Sequence, residues 1–149
     1  MIKIENEKRG ALIGTPYPLF NVTLNNKTYS SKTLKGKTLF VNFWFAACVP
    51  CMEEMEDLNK LYERFKGNKN FEFISFTFDD KNTIAAIKKK YNIGYNIFSI
   101  TNEECHRLNL HGGFPTSIVV DAAGNIKYIS RLTIKDNFID NIYPLISKE

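Results

Sequence analysis

No apolar run in the chain is long enough to cross a bilayer as a helix, which takes about 20 residues. The first nine residues, Met-Ile-Lys-Ile-Glu-Asn-Glu-Lys-Arg, carry charge where a secretory leader has its apolar stretch, so they do not read as a signal peptide. The chain is therefore expected either to stay in the cytoplasm or to be a mature form whose export segment has been removed. Cysteine is scarce: three in 149 residues are too few for a disulfide scaffold. The odd one, Cys105, is expected to be a free thiol. Charge of one sign is not in large excess. A net charge of +4 gives no argument for nucleic acid or a membrane surface, and Lys88-Lys89-Lys90 reads as a solvated helix face. Repeats, low-complexity segments and interdomain linkers are all missing. One domain over residues 1–149 follows, with a single core and a loose N-terminal extension over residues 1–13. Hydrophobic residues at 44% and charged residues at 24% are ordinary for a globular protein.

Against that plain background one stretch stands out, Leu39 to Met55. Leu39–Phe45 is aromatic and β-branched with one polar member, Asn42, and reads as a strand buried on both faces. From Cys51 onward the period changes, with Met55, Leu58, Leu61, Tyr62 and Phe65 at helical spacing. Cys48 thus falls where a strand hands over to a helix N-terminus. The unpaired N–H groups and positive dipole end there stabilise an anion, which lowers a thiol pKa. Pro50 suits the first helical turn, and Cys51 lies one turn further on, within reach of a mixed disulfide on Cys48. Two cysteines at this spacing also suit half a zinc site, or two small buried hydrophobes. The strand-to-helix junction favours a redox dithiol.

Along the rest of the chain, Gly14-Thr-Pro16-Tyr-Pro18 is extended. Phe20–Leu24 and Thr28–Ser30 form a hairpin around Asn25-Asn26-Lys27. Phe71–Phe78 is a second buried strand, its phenylalanines assigned to the core. Asp79 or Asp80 caps a helix over residues 82–91 with Ile84, Ile87 and Tyr91 on its apolar face. A short strand at residues 96–100 and a helical segment over residues 102–108 follow, the latter carrying Cys105 as a buried hydrophobe and His106 at the surface. His111 reads as a loop residue. After Gly112-Gly113-Phe114-Pro115, strands over residues 116–120 and 126–131 flank a loop at Gly124. A last helix spans residues 135–146, which Pro144 bends or shortens. The fold class is α/β, a mixed sheet with helices on its faces.

Asn42-Phe43-Trp44 with Cys48-Val-Pro-Cys51, then Phe114-Pro115-Thr116 and the hairpin around Gly124, resemble the thioredoxin superfamily. The Gly14-to-Phe20 lead, Gly36-Lys37, the polar Asn42 and the extra segment before Pro115 are similar to its TlpA/ResA-like branch of thiol-disulfide oxidoreductases. The resemblance implies a thioredoxin-like fold: a central mixed β-sheet flanked by helices, an N-terminal β-hairpin, and an extra helix and strand between the second core strand and the cis-Pro strand. It implies Cys48 as the more exposed attacking thiol, Cys51 as the resolving thiol, and Pro115 in the cis form opposite them. Substrate contacts would come from Trp44, Val49, Pro50, the backbone of Phe114, and Thr116. The branch's proton-accepting acid falls on Asp80, with Asp79 next; Asn42 cannot serve as that base. Ala47 stands where relatives often have Trp. Glu56 replaces the proline that usually bends the active-site helix, so a straighter axis is expected. The implied function is disulfide exchange with protein substrates, in the direction of a reductant, by a monomer resupplied by an upstream redox partner. No cofactor is implied beyond the Cys48–Cys51 pair, and neither a metal nor nucleic acid. The implied location is extracytoplasmic, in the periplasm or facing a membrane.

Two other classes remain open at this point. A peroxiredoxin-like peroxidase would carry Pro-x-x-x-Thr/Ser-x-x-Cys, but the corresponding positions are Val41 and Phe45 for Cys48, or Trp44 and Cys48 for Cys51. A metal-binding or interaction module would need ligands converging on the cysteines, with Cys105 and His106 as candidates.

Overall fold

The structure is a computed structural model that describes residues 2–130 and 137–146, with side chains from Asn6 onward. The N-terminal segment is a helix (α1, Ile2–Leu12) and not a loose extension. Composition hid this because the helix has little apolar periodicity. It is held by Arg9, which is buried and donates to the carbonyls of Ser130 and Gly112, and by the Gly14 N–H on the Ile126 carbonyl at 2.7 Å.

The hairpin follows as expected, strands Asn21–Leu24 (β1) and Lys27–Ser30 (β2) joined through Asn25 and Asn26. Both asparagines have positive φ, 51° and 64°, the twist that a two-residue hairpin turn requires and that Asn tolerates. Next come the central strand Thr38–Phe43 (β3), helices Val49–Glu53 (α2) and Met55–Phe65 (α3), and strand Phe71–Thr77 (β4). Helix Lys81–Tyr91 (α4), strand Ile97–Ser99 (β5), helix Asn102–Leu108 (α5), and strands Thr116–Val120 (β6) and Ile126–Ile129 (β7) complete the sheet region.

The main sheet is mixed, ordered β5-β4-β3-β6-β7. β3 runs parallel to β4 and antiparallel to β6, with Phe43 level with both Phe76 and Thr116. Every residue of β3 is buried, as a strand covered on both faces must be. One face packs Phe40 with α3 residues Leu58, Leu61 and Phe65; the other packs Val41 and Phe43 with Tyr17, Phe20 and Leu108. The sheet and its helices are those of the thioredoxin-like fold.

Two helical expectations change. The active-site helix is interrupted without a proline: α2 and α3 part at Glu54, which keeps right-handed helical backbone while its N–H turns to the Cys51 carbonyl three residues back. At the C-terminus residues 138–142 form a wide π turn before a short helix, Tyr143–Ile146 (α6). The π turn ends just ahead of Pro144, whose ring and missing N–H disfavour a continuous α-helix there. The expected first residues of that helix, and Arg131 of the last strand, lie outside the described residues.

Candidate active site

β3 ends at Phe43, and the chain turns through Phe45–Cys48, closed by the Cys48 N–H on the Phe45 carbonyl at 3.1 Å. Cys48 is the N-cap of α2, in extended conformation (φ −85°, ψ 104°), and Pro50 occupies the first turn. The Cys51 N–H donates to Cys48 Sγ at 3.2 Å, a helix-start amide aimed at the sulfur. Cys48 and Cys51 are joined in a disulfide, their Cα atoms 5.2 Å apart. Cys48 is 7% exposed and Cys51 1%. The outer sulfur is thus the N-cap and the inner one lies against the core. Val49, 68% exposed, and Pro50 rim the bridge.

The Phe114–Pro115 peptide is cis. The chain reaches it from α5 through two successive left-handed residues, Leu110 (φ 60°) and His111 (φ 58°). Phe114 precedes β6 and so lies outside the sheet's hydrogen-bond ladder. Its ring meets Phe45 at 5.3 Å, Phe78 at 5.6 Å and His106 at 5.9 Å, and Phe45 meets Phe78 at 5.2 Å. This aromatic group was not foreseen. Phe78, assigned to the core with the rest of its series, is 37% exposed, because it follows β4 and the alternation no longer turns it inward. His106, expected at the surface, is half-buried against Phe114.

Two residues expected to touch substrate are placed beneath the surface. Trp44 is fully buried, its Nε1 donating to Ser75 Oγ at 2.7 Å. Thr116 is also fully buried, its hydroxyl donating to the Gly113 carbonyl at 2.7 Å, so it shapes the loop from inside. Asn42 is enclosed between β3 and β6, donating to Ser117 Oγ at 3.1 Å.

The two neighbouring aspartates divide their work. Asp80 is exposed and caps α4, accepting the Thr83 N–H at 2.8 Å. Those hydrogen bonds from Thr83 hold its carboxyl below the ordinary carboxylate range. Asp79 faces the dithiol turn instead: its Oδ2 accepts the Ala46 N–H at 2.7 Å. Glu54, three residues after Cys51, is buried, although periodicity alone assigns it to the outer face.

Cys105 is a buried free thiol, as expected. Burial, with Asp79 and Glu104 adding to it, pushes this thiol up to about 12. Below pH 9 it is therefore protonated and a poor nucleophile. The reduced, folded protein should release two fast thiols to an aromatic disulfide reagent at pH 8 and a third only on denaturation; three fast thiols would contradict this burial. Among the described residues no group of three or more His, Cys, Asp or Glu could hold a metal ion.

A profile of the AhpC/TSA family matches residues 13–129. The thiol-disulfide oxidoreductase ResA of Bacillus cereus is 34% identical over 124 residues, covering 80% of this chain and 70% of that protein. A thiol:disulfide interchange protein of Chlorobium tepidum superposes with a TM-score of 0.71 at 27% identity, covering 91% of this chain and 95% of that one. The thioredoxin domain of a thiol-disulfide oxidoreductase of Bacteroides vulgatus does so with a TM-score of 0.73 at 25% identity, covering 91% and 96%. With a family match over most of its length and relatives named for thiol-disulfide exchange, the chain belongs to the AhpC/TSA family as a ResA-like thiol-disulfide oxidoreductase.

Proposed function

We propose that the protein reduces disulfides in protein substrates, with Cys48 as nucleophile and Cys51 as resolving thiol. The observation that carries this is the Cys51 N–H aimed at the more exposed sulfur, Cys48 Sγ, at the start of α2. A hydrogen bond to the sulfur and the helix dipole both favour the thiolate. In the reduced enzyme the Cys48 thiolate attacks one sulfur of the substrate bridge, expelling the other as a thiolate that takes up a proton. Cys51, losing its proton, then attacks Cys48 Sγ and expels the first substrate sulfur. Two electrons pass to the substrate and the Cys48–Cys51 disulfide forms. An upstream dithiol partner supplies the electrons to reopen it.

Phe114, ahead of the start of β6, and the ring group of Phe45, Phe78 and Phe114 support a protein substrate. An extended segment can pair with the peptide while its apolar side chain rests on the rings. Of the two candidate proton acceptors, Asp79 is favoured by its hydrogen bond to the dithiol turn, since the Asp80 carboxylate is occupied as a helix cap. The reading also carries an extracytoplasmic location, which rests on the family likeness. No helix among the described residues is long and apolar enough to cross a membrane.

The test is the Cys48/Cys51 potential against a glutathione series, paired with the rate at which the reduced enzyme opens a protein disulfide. A reductant lies near thioredoxin, at about −270 mV; a value close to about −120 mV would make the protein an oxidant and overturn the proposal. In the same assay Asp79→Asn should slow release of the substrate, while Asp80→Asn leaves that rate near wild type. Rapid sulfenic acid formation at low peroxide would instead favour the peroxidase reading.

A further inference from the structure

Arg9 lies before the segment that the family profile matches, yet it reaches the loop that leads into the cis Phe114–Pro115 peptide. From α1 its Nη2 donates to the Gly112 carbonyl at 2.6 Å, and its Nη1 to the carbonyl of Ser130, just past β7. Ser130 in turn accepts the Ser117 N–H on its Oγ at 3.0 Å, and Ser117 Oγ accepts from Asn42. One guanidinium thus ties the loop ahead of Phe114 to the end of β7 and, through Ser130 and Ser117, to β3. The fit is close. A Cβ on Gly112 would stand 2.9 Å from Arg9 Nη2, 2.9 Å from Thr116 Oγ1 and 2.8 Å from the Asn109 carbonyl.

We propose that Arg9 is a positioning residue for the substrate-pairing peptide, so that α1 acts as a clasp on the Gly112–Phe114 loop. This rests on the reading that substrate pairs at Phe114. The loop follows two residues held at positive φ, Leu110 and His111, a conformation non-glycine residues adopt at a cost. Its other hydrogen bonds among the described residues are local, from the Gly112 N–H to Asn109 and from Asn109 Nδ2 and Thr116 Oγ1 to the Gly113 carbonyl, while the Phe114 ring rests on Phe45 and Phe78. Arg9 is the planar, two-pronged donor that joins it to a distant element. A hydrogen bond from a charged donor is stronger than a neutral one, so its loss should be felt in the loop's opening equilibrium.

Arg9→Met keeps the apolar stem and removes every donor; Arg9→Lys keeps the charge but offers a point donor to two carbonyls. In Arg9→Met, amide hydrogen exchange at Gly112, whose N–H is held by Asn109, should accelerate about tenfold, while β3 and β4 retain wild-type protection. With a protein disulfide as substrate, KM should rise by a similar factor with kcat near wild type. With hydroxyethyl disulfide, too small to pair along Phe114, the rate should stay within about twofold. Arg9→Lys should fall between the two. Uniform acceleration of exchange across the sheet, an unchanged loop, or equal losses on both substrates would overturn the proposal. If the wild type opens hydroxyethyl disulfide but no protein disulfide, the substrate reading falls while the exchange data still decide whether Arg9 holds the loop. If Arg9→Met does not fold, Arg9→Lys against wild type answers through the same readouts.

Discussion

Cys51→Ser is expected to stop the reaction halfway. Cys48 still attacks, but nothing behind it expels the substrate, so a covalent enzyme–substrate adduct accumulates and multiple turnover falls by about a thousandfold or more. Cys48→Ser should be as inactive but should form no adduct. The difference in outcome follows from depth: Cys51, 1% exposed, is the inner of the two, while Cys48, 7% exposed, accepts the helix-start amide beside the exposed Val49 and Pro50. Cys105 does not compete, being buried and protonated. Non-reducing electrophoresis and intact mass of the mixture read the result. An adduct on Cys51 in Cys48→Ser, or none on Cys48 in Cys51→Ser, would reverse the assignment of roles.

Trp44→Ala should remove a large share of the fold's stability without any contact with substrate being lost. The indole is enclosed between the sheet and the dithiol helix, in the same packed group as Phe40, Cys51 and Met55. Deleting it leaves a cavity and removes the donor from the buried Ser75 Oγ. A cost of about 3–5 kcal/mol is expected for such a truncation, against a total of about 5–15 kcal/mol for a domain. Trp44→Phe, which keeps most of the volume, should lose only about 1–2 kcal/mol. Urea midpoints at constant m-value measure both. Exchange rates per folded molecule should be close to wild type in Trp44→Phe. A variant of unchanged stability and lost activity would mean the ring reaches substrate after all.

Periodicity and spacing carried the reading where burial is repetitive. β3 and β6 are buried at every position, α5 sits between a Thr cap and a buried Leu108, and the Asn25-Asn26 turn is signalled by its own backbone chemistry. The Cys48–Cys51 pair was legible because a strand pattern gives way to a helix pattern between Phe45 and Cys51. What escaped depends on contacts between residues far apart in the chain. α1 has no apolar stripe that announces it; its anchor is a guanidinium meeting two carbonyls from residues more than a hundred positions away. Asp79 and Asp80 are the same chemistry at adjacent positions, and only the α4 cap geometry separates them. Phe78 is assigned to the core by alternation, and Trp44 and Thr116 to substrate contact by resemblance, and burial departs from each. At strand ends the two-residue alternation no longer says which side chain faces outward, so the depth of the site was the least readable part of it.

The antiparallel pairing of β3 with β6 has a bearing on how the protein is made. The dithiol is encoded about a third of the way along the chain and the Phe114 loop in the last third, so synthesis delivers the two sulfurs long before the strand that the loop leads into. Contacts of such long sequence separation form slowly, because the intervening chain must be ordered first. On the proposed mechanism, a partly made chain therefore carries its nucleophile before the Phe114 loop that would select a target, and selection waits for β6 to lock beside β3.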